Sequence, residues 1–241
     1  MKDVIDVMQL QREKSRRVPA IDYRQKQNHF IAIRYIFECG IKLEAKPLTI
    51  ATAAVLYHRF FRETDSNNYD CYLLAATALY LAGKVEDDPL KVRDVINVTH
   101  NTLHRGSPPL ELGDEYWNMR DAIVQAELLM MRVLKFEVSC THPHKYLLHY
   151  LKTLEDWFDP CAWKKLPIAK AAASFLQLKP QHVAVACINL ALQCYGAQVP
   201  LVDEGEGFTW YSVFAEDLQK DALWDIMEKI MDVYNREHEF L

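Results

Sequence analysis

The chain has 241 residues, of which 50% are hydrophobic, only 7 are glycine, and the net charge is −5. This length suits one large domain or two domains of about 100 residues each. Because 28 basic residues face 33 acidic ones, the composition lacks the basic excess that neutralises nucleic-acid phosphates. No apolar stretch approaches the ~18 residues of a membrane span. We therefore expect a folded protein that binds neither nucleic acid nor membrane directly.

The start of the chain and its cysteines indicate an intracellular protein. Residues 1–28 are polar and charged, so we expect an N-terminal arm, and the first residues lack the apolar core of a signal peptide. The six cysteines are scattered and form no CxxC pair, a pattern typical of reduced core residues. We expect the protein in the nucleus, the cytoplasm or both.

Hydrophobic periodicity predicts an all-α fold that begins with five helices. The runs are rich in Ala, Leu, Met and Glu, and short polar breaks containing Gly40 and Pro47 separate them. The third run is apolar nearly all round, which predicts a central helix surrounded by the others. The five predicted helices span 29–38, 48–62, 70–85, 90–104 and 114–135.

The second half of the chain is a degenerate copy of the first. IATAA at 50–54 matches IAKAA at 168–172, and LLAATALYLA at 73–82 matches HVAVACINLA at 182–191. The first pair lies 118 residues apart and the second 109, so we expect a shortened copy with only a stub of helix within 169–181. The helices predicted for this half lie near 143–157, 167–177, 180–195, 208–218 and 219–238.

Two charged residues interrupt otherwise apolar helical faces. Lys84 ends the third helix, at a position where the second copy has Gln193. Glu127 falls on the apolar stripe of the fifth helix between Ile123 and Met130. A lysine at a helix C-terminus and a solvated glutamate at the edge of a stripe would explain both. Alternatively, both charges border an apolar patch that a partner covers. Sequence spacing leaves both interpretations open.

Four stretches resemble the transcription-type cyclins, namely YLAGKVE (80–86), RDVINV (93–98), ELLMMRVLKFEV (127–138) and HPHKYLLHYL (142–151). The resemblance covers residues 29–238 and is greatest to the cyclins that activate cyclin-dependent kinase ten. It implies an all-α fold of two consecutive five-helix cyclin boxes, the second degenerate and shortened. The implied divisions are an arm at 1–28, a kinase-binding first box at 29–140 and a second box at 141–241.

The resemblance also implies a function and a set of partner-binding residues. In that family a lysine at the end of the third helix and a glutamate of the fifth form a pair that contacts the kinase, and Lys84 and Glu127 occupy those positions. By the same matching, Val85 follows the lysine and is included in the partner-binding set. The positions at which the family packs apolar side chains against the mobile helix of the kinase are Leu128, Met131, Phe136 and Val138. We therefore expect a regulatory subunit, not an enzyme, that forms a heterodimer with a cyclin-dependent kinase of the kinase-ten type. It would hold the kinase αC helix in its active position.

Two other functions compete with this one. A transcription-factor-IIB-like scaffold of the transcription machinery shares the doubled box but binds promoter DNA, which the charge of −5 disfavours. A metalloprotein could use His100 with His104, or Cys140 with His142 and His144. Neither set completes an HExxH or a paired CxxC motif. No catalytic constellation or phosphate-binding glycine loop stands out, so we expect no catalytic residue, metal or cofactor.

Overall fold

The computed structural model describes residues 23, 29–65, 68–106, 108, 110–154, 178–195 and 209–239. These ranges contain eight α-helices and no strand, which confirms the all-α class for this part of the chain. Across the same ranges, no helix has both the length and the apolar composition needed to cross a membrane. The helices are α1 (His29–Lys42), α2 (Pro47–Glu63), α3 (Cys71–Val85), α4 (Val92–Leu103), α5 (Asp114–Val133), α6 (Pro143–Leu154), α7 (Pro180–Tyr195) and α8 (Lys220–Glu239).

Helix α3 is the centre of the first five helices because it packs against α1, α2, α4 and α5. Its residues Ala75, Ala78 and Ala82 are fully buried, and such small side chains let neighbouring helices approach closely. The helix begins after Asp70, whose carboxylate accepts a hydrogen bond of 2.8 Å from the backbone N–H of Tyr72. The prediction of a central third helix is confirmed.

Helix α1 continues beyond its predicted end at residue 38 and includes Gly40. A Cβ atom at Gly40 would lie 2.6 Å from Cγ1 of Ile50 on α2, well inside van der Waals contact. The glycine therefore lets α2 pack directly against the backbone of α1. The sequence suggested a helix break here, but the residue serves helix packing instead.

The turn after α3 is fixed to the start of α2 by Asp88. Its carboxylate accepts 2.8 Å hydrogen bonds from the backbone N–H of Lys46 and from the Thr49 hydroxyl. Because Lys46 provides no side-chain cap of its own, Asp88 satisfies the N-terminus of α2 from a distant part of the chain. The hydrogen bond from the Lys46 N–H is the main reason why the pKa of Asp88 lies below its usual value.

A separate apolar core joins α6, α7 and α8, with α7 packed against both of the others. Leu154, Ala184 and Met227 contribute fully buried side chains, one from each helix. The helix predicted at 167–177 and nearly all of the stub predicted within 169–181 lie outside the described residues. The complete five-helix second box therefore stays a prediction.

The helix predicted at 208–218 is wrong over the described residues 209–218, which form consecutive turns. The turns are closed by hydrogen bonds such as Ser212 N–H to Thr209 O at 3.0 Å. They bury Tyr211 and also bring Asp217 to His182 at the start of α7, with Nε2 and Oδ1 separated by 2.9 Å. These tertiary contacts outweigh the local helical preference.

Gly83 makes the turn after α3 sensitive to one methyl group. A Cβ atom at this position would lie 2.8 Å from the backbone oxygen of Asp88 and 3.0 Å from Cγ of Leu90. We predict that Gly83→Ala lowers the free energy of unfolding by about 1–3 kcal/mol, because the backbone must shift. Gly113→Ala is the control, since its Cβ would meet nothing within 4 Å. Urea unfolding of both variants measures the difference, and equal stability would contradict the packing argument.

Candidate partner-binding site

Lys84 and Glu127 form an ion pair between the end of α3 and the middle of α5. Lys84 Nζ donates to both carboxylate oxygens of Glu127, at 2.7 Å to Oε1 and 2.9 Å to Oε2. The Glu127 side chain is only 10% exposed, whereas that of Lys84 is 48% exposed. The carboxylate lies on the buried stripe with Ile123 and Met130, as the sequence indicated. A buried acid is thus neutralised by a lysine that still reaches the surface.

Tyr80 is a third member of this site that the sequence analysis missed. It lies one turn before Lys84 on α3, and the ammonium is 4.2 Å from the centre of its ring. Burial opposes the charged lysine, but the hydrogen bond and charge of Glu127, together with Tyr80, outweigh it and raise the pKa of Lys84. Lys84 therefore stays protonated at neutral pH. The four-residue spacing to Lys84 was the available sequence signal.

The predicted apolar residues differ in exposure. Val85 and Leu128 directly follow Lys84 and Glu127, and two side chains protrude, Leu128 at 42% and Phe136 at 64% exposure. The remaining residues, which are half-buried and packed against the core of the first helices, are Val85, Met131 and Val138. The structure thus combines one ion pair with two exposed apolar side chains.

Phe136 protrudes from an unusual backbone conformation after α5. Lys135 and Phe136 have φ angles of 52° and 63°, a left-handed conformation that costs roughly 1–2 kcal/mol for each residue with a Cβ. The Phe136 N–H donates to Met131 O at 2.8 Å, which closes the end of the helix. Surrounding contacts must hold this strained turn in place.

His142, one of the metal-ligand candidates, has a structural role instead. Thr52 Oγ1 is 2.6 Å from Glu86 Oε1 and 2.7 Å from His142 Nε2. Because the single hydroxyl proton goes to the carboxylate, Nε2 must donate its own proton to Thr52. This chain of hydrogen bonds joins α2, the end of α3 and the residue before α6. Among the described residues, no group of three or more His, Cys, Asp or Glu could hold a metal ion.

These features define an all-α protein in which a partly exposed ion pair joins the end of α3 to the middle of α5. Its residues 3–139 match the model of the cyclin N-terminal domain, and the chain belongs to the cyclin family. It is 32% identical to Cyclin-L1 of Danio rerio over 210 residues, which cover 84% of this chain and 41% of that protein. It is 30% identical to Cyclin-L2 of Mus musculus over 214 residues, covering 86% and 40%.

The chain thus spans about two-fifths of the length of these curated relatives. Its structure is similar to a chain of the yeast RNA Pol II CTD kinase CTDK-1 complex, with a TM-score of 0.66 and 16% sequence identity. The similarity covers 88% of this chain and 66% of that chain. At this identity the comparison establishes a shared fold alone.

Because three histidines are partly or fully buried, we predict that the protein loses stability in mild acid. Burial is the main cause that lowers the pKa of His58, His142 and His144 below the usual value near 6.5. The unfolded chain therefore binds protons more readily than the folded chain, and stability falls as the pH drops through about 6.5. From about pH 7.5 to about pH 5.5 we therefore expect the free energy of unfolding to decrease progressively.

Urea unfolding across this pH range measures the effect, with His142→Gln as the informative variant. Glutamine can still donate to Thr52 but does not titrate, so the pH dependence should become shallower. His149→Gln, at an exposed position of α6, is the matched control and should leave the slope unchanged. A flat wild-type profile over this range would contradict the role assigned to the buried histidines.

Proposed function

We propose that this chain is the regulatory subunit of a cyclin-dependent kinase of the kinase-ten type, which it binds as a heterodimer and activates. The observation that carries the proposal is the partly exposed Lys84–Glu127 ion pair, together with the exposed side chains of Leu128 on α5 and Phe136 just after it. The four sequence stretches that resemble transcription-type cyclins also resemble cyclin Q, which is also called cyclin M. That resemblance supports kinase ten as the partner.

The physical properties of this surface suit a protein partner. Leu128 and Phe136 expose apolar area that gains about 25 cal/mol for each Å² removed from water. The Lys84 side chain remains 48% exposed beside its contacts with Glu127 and Tyr80, so a partner can approach the charged group directly. Covering the pair would also strengthen its electrostatic interaction and fix the orientation of the complex.

Activation would follow from a shift between two kinase conformations. A protein kinase aligns the ATP phosphates only when its strand lysine pairs with a glutamate of the αC helix, so the position of αC controls activity. A subunit that binds the αC-in state more tightly raises the population of that state. The cyclin would supply binding energy and perform no chemistry. The presence of a similar fold in a CTD kinase complex is compatible with this role.

We also propose that kinase contacts lie within residues 29–140, with a shortened second cyclin box at 141–241. All seven proposed contact residues, from Lys84 to Val138, belong to the first of these divisions. They lie at the end of α3, on α5 and in the residues immediately after α5. The α6–α8 core can therefore vary without altering the proposed contact surface.

Charge reversal at the ion pair should weaken kinase binding. We predict that Lys84→Glu or Glu127→Lys reduces affinity by roughly 30-fold to several thousand-fold, since truncating one member of such a pair costs about 2–5 kcal/mol. The control is Lys152→Glu at an exposed position of α6. Calorimetric titration with purified kinase gives the affinities, and circular dichroism verifies the helical content. Wild-type affinity in both site variants would reject this surface.

The double variant that exchanges the two charges separates a specific pair from simple damage. Lys84→Glu combined with Glu127→Lys restores opposite charges and should bind more tightly than either single variant. If the fold-loss of affinity in the double variant equals or exceeds the product of the two single-variant losses, the two residues do not act as a pair.

Activation requires its own experiment, with phosphate transfer from labelled ATP as the measured quantity. We predict no transfer by the purified chain alone, none above background by kinase ten alone, and robust transfer by the mixture. A second cyclin-dependent kinase tests partner choice. Equal stimulation of both kinases would refute the kinase-ten assignment, and transfer by the chain alone would refute the regulatory role.

A further inference from the structure

The strained segment after α5 is attached to α2 by Arg59. Its Nη1 atom donates to the backbone oxygens of Glu137 at 3.3 Å and Ser139 at 3.2 Å. One guanidinium nitrogen carries two hydrogens, so a single terminal group can satisfy both carbonyls. The two acceptors flank Val138, which packs against the core of the first helices. Residues 137–139 are therefore held by Arg59 through their backbone and by the apolar core through the Val138 side chain.

This attachment acts on the turn that presents Phe136. The segment contains no glycine to relieve the positive φ angles of Lys135 and Phe136, so its backbone hydrogen bonds to α5 and contacts from outside the turn must hold the conformation. Glu137, whose oxygen Arg59 binds, directly follows Phe136. Its N–H also donates to Leu134 O at 2.9 Å, which connects the arginine contact to the last turn of α5.

We propose that Arg59 is a positioning residue that fixes residues 135–139 and so holds the Phe136 ring ready for the kinase. The inference deepens the proposed function and rests on it. Arg59 would not touch the kinase in this role. Its contribution would be to remove the cost of ordering the segment when the complex forms, which is how preorganisation raises affinity. Because the acceptors are neutral carbonyls, the interaction sets geometry and does not neutralise a charge.

The free protein tests the first half of the proposal without any kinase. Amide hydrogen exchange of the full chain should become faster at residues 135–139 in Arg59→Gln, because the segment opens locally. Exchange in α3 should not change. The matched control is Arg62→Gln, one turn further along α2, where the exposed side chain pairs only with its neighbour Glu63 among the described salt bridges. Unaltered exchange at 135–139 in Arg59→Gln would overturn the proposal.

Kinase affinity tests the second half through a double-mutant cycle. Phe136→Ala should weaken binding by at least about fivefold, and Arg59→Gln should show a similar loss. If Arg59 acts through Phe136, the double variant should bind no more weakly than Phe136→Ala alone. A purely structural role would instead give losses that multiply. Multiplicative losses, or wild-type affinity in Arg59→Gln, would overturn the inference.

A second substitution keeps the test informative if Arg59→Gln proves too unstable. Arg59→Lys retains the charge but lacks the rigid planar group, so we expect it to show faster exchange at 135–139 and weaker kinase binding than the wild type. Wild-type exchange and affinity in the lysine variant would favour charge alone and overturn the geometric role.

The failure of the proposed function has a different signature. If Lys84→Glu, Phe136→Ala and Arg59→Gln all bind the kinase like the wild type, the whole surface is misassigned. If Lys84→Glu weakens binding but Arg59→Gln does not, the surface stands and only the positioning role of Arg59 is lost.

Discussion

The near-complete enclosure of α3 by four neighbouring helices is the constraint from which the proposed binding surface follows. A helix without a solvent-facing stripe can present side chains to a partner only at its ends. At its C-terminal end the chain changes from buried Ala82 and Gly83 to the half-exposed Lys84 within one residue. Asp88 then ties the following turn to the start of α2. The surface is therefore attached to the most rigidly packed element of the first five helices.

The buried carboxylate of Glu127 adds a second constraint. Removing a charge from water costs several kcal/mol unless a partner of opposite charge satisfies it. Lys84 is the partner, so α3 and α5 must keep the register that brings their side chains together. The lysine remains half exposed, which limits what the pair contributes to stability in the free protein. Orientation and recognition are the roles that its geometry suits best.

Helix α2 supports this surface although it provides none of the proposed kinase contacts. Asp88 caps the first turn of α2. Thr52, further along the helix, forms hydrogen bonds with Glu86 and His142. Arg59, in the later part of α2, donates to the segment after α5. The two places where the chain leaves the core, after α3 and after α5, are thus both attached to one helix. Substitutions on α2 can therefore alter the binding surface without touching a partner.

The sequence determined the helical class, the central position of α3, and the two charges on apolar faces, because the spacing of apolar residues along the chain shows these features. It also determined the family through its quoted stretches. Only the tertiary structure decided that Gly40 lies within a helix contact, that residues 209–218 form turns, and that Tyr80 and Arg59 support the site. Those facts depend on which distant residues meet in space. Periodicity fixes which face of a helix is buried, whereas backbone approach, capping across the chain and bonds to distant carbonyls arise only when helices pack.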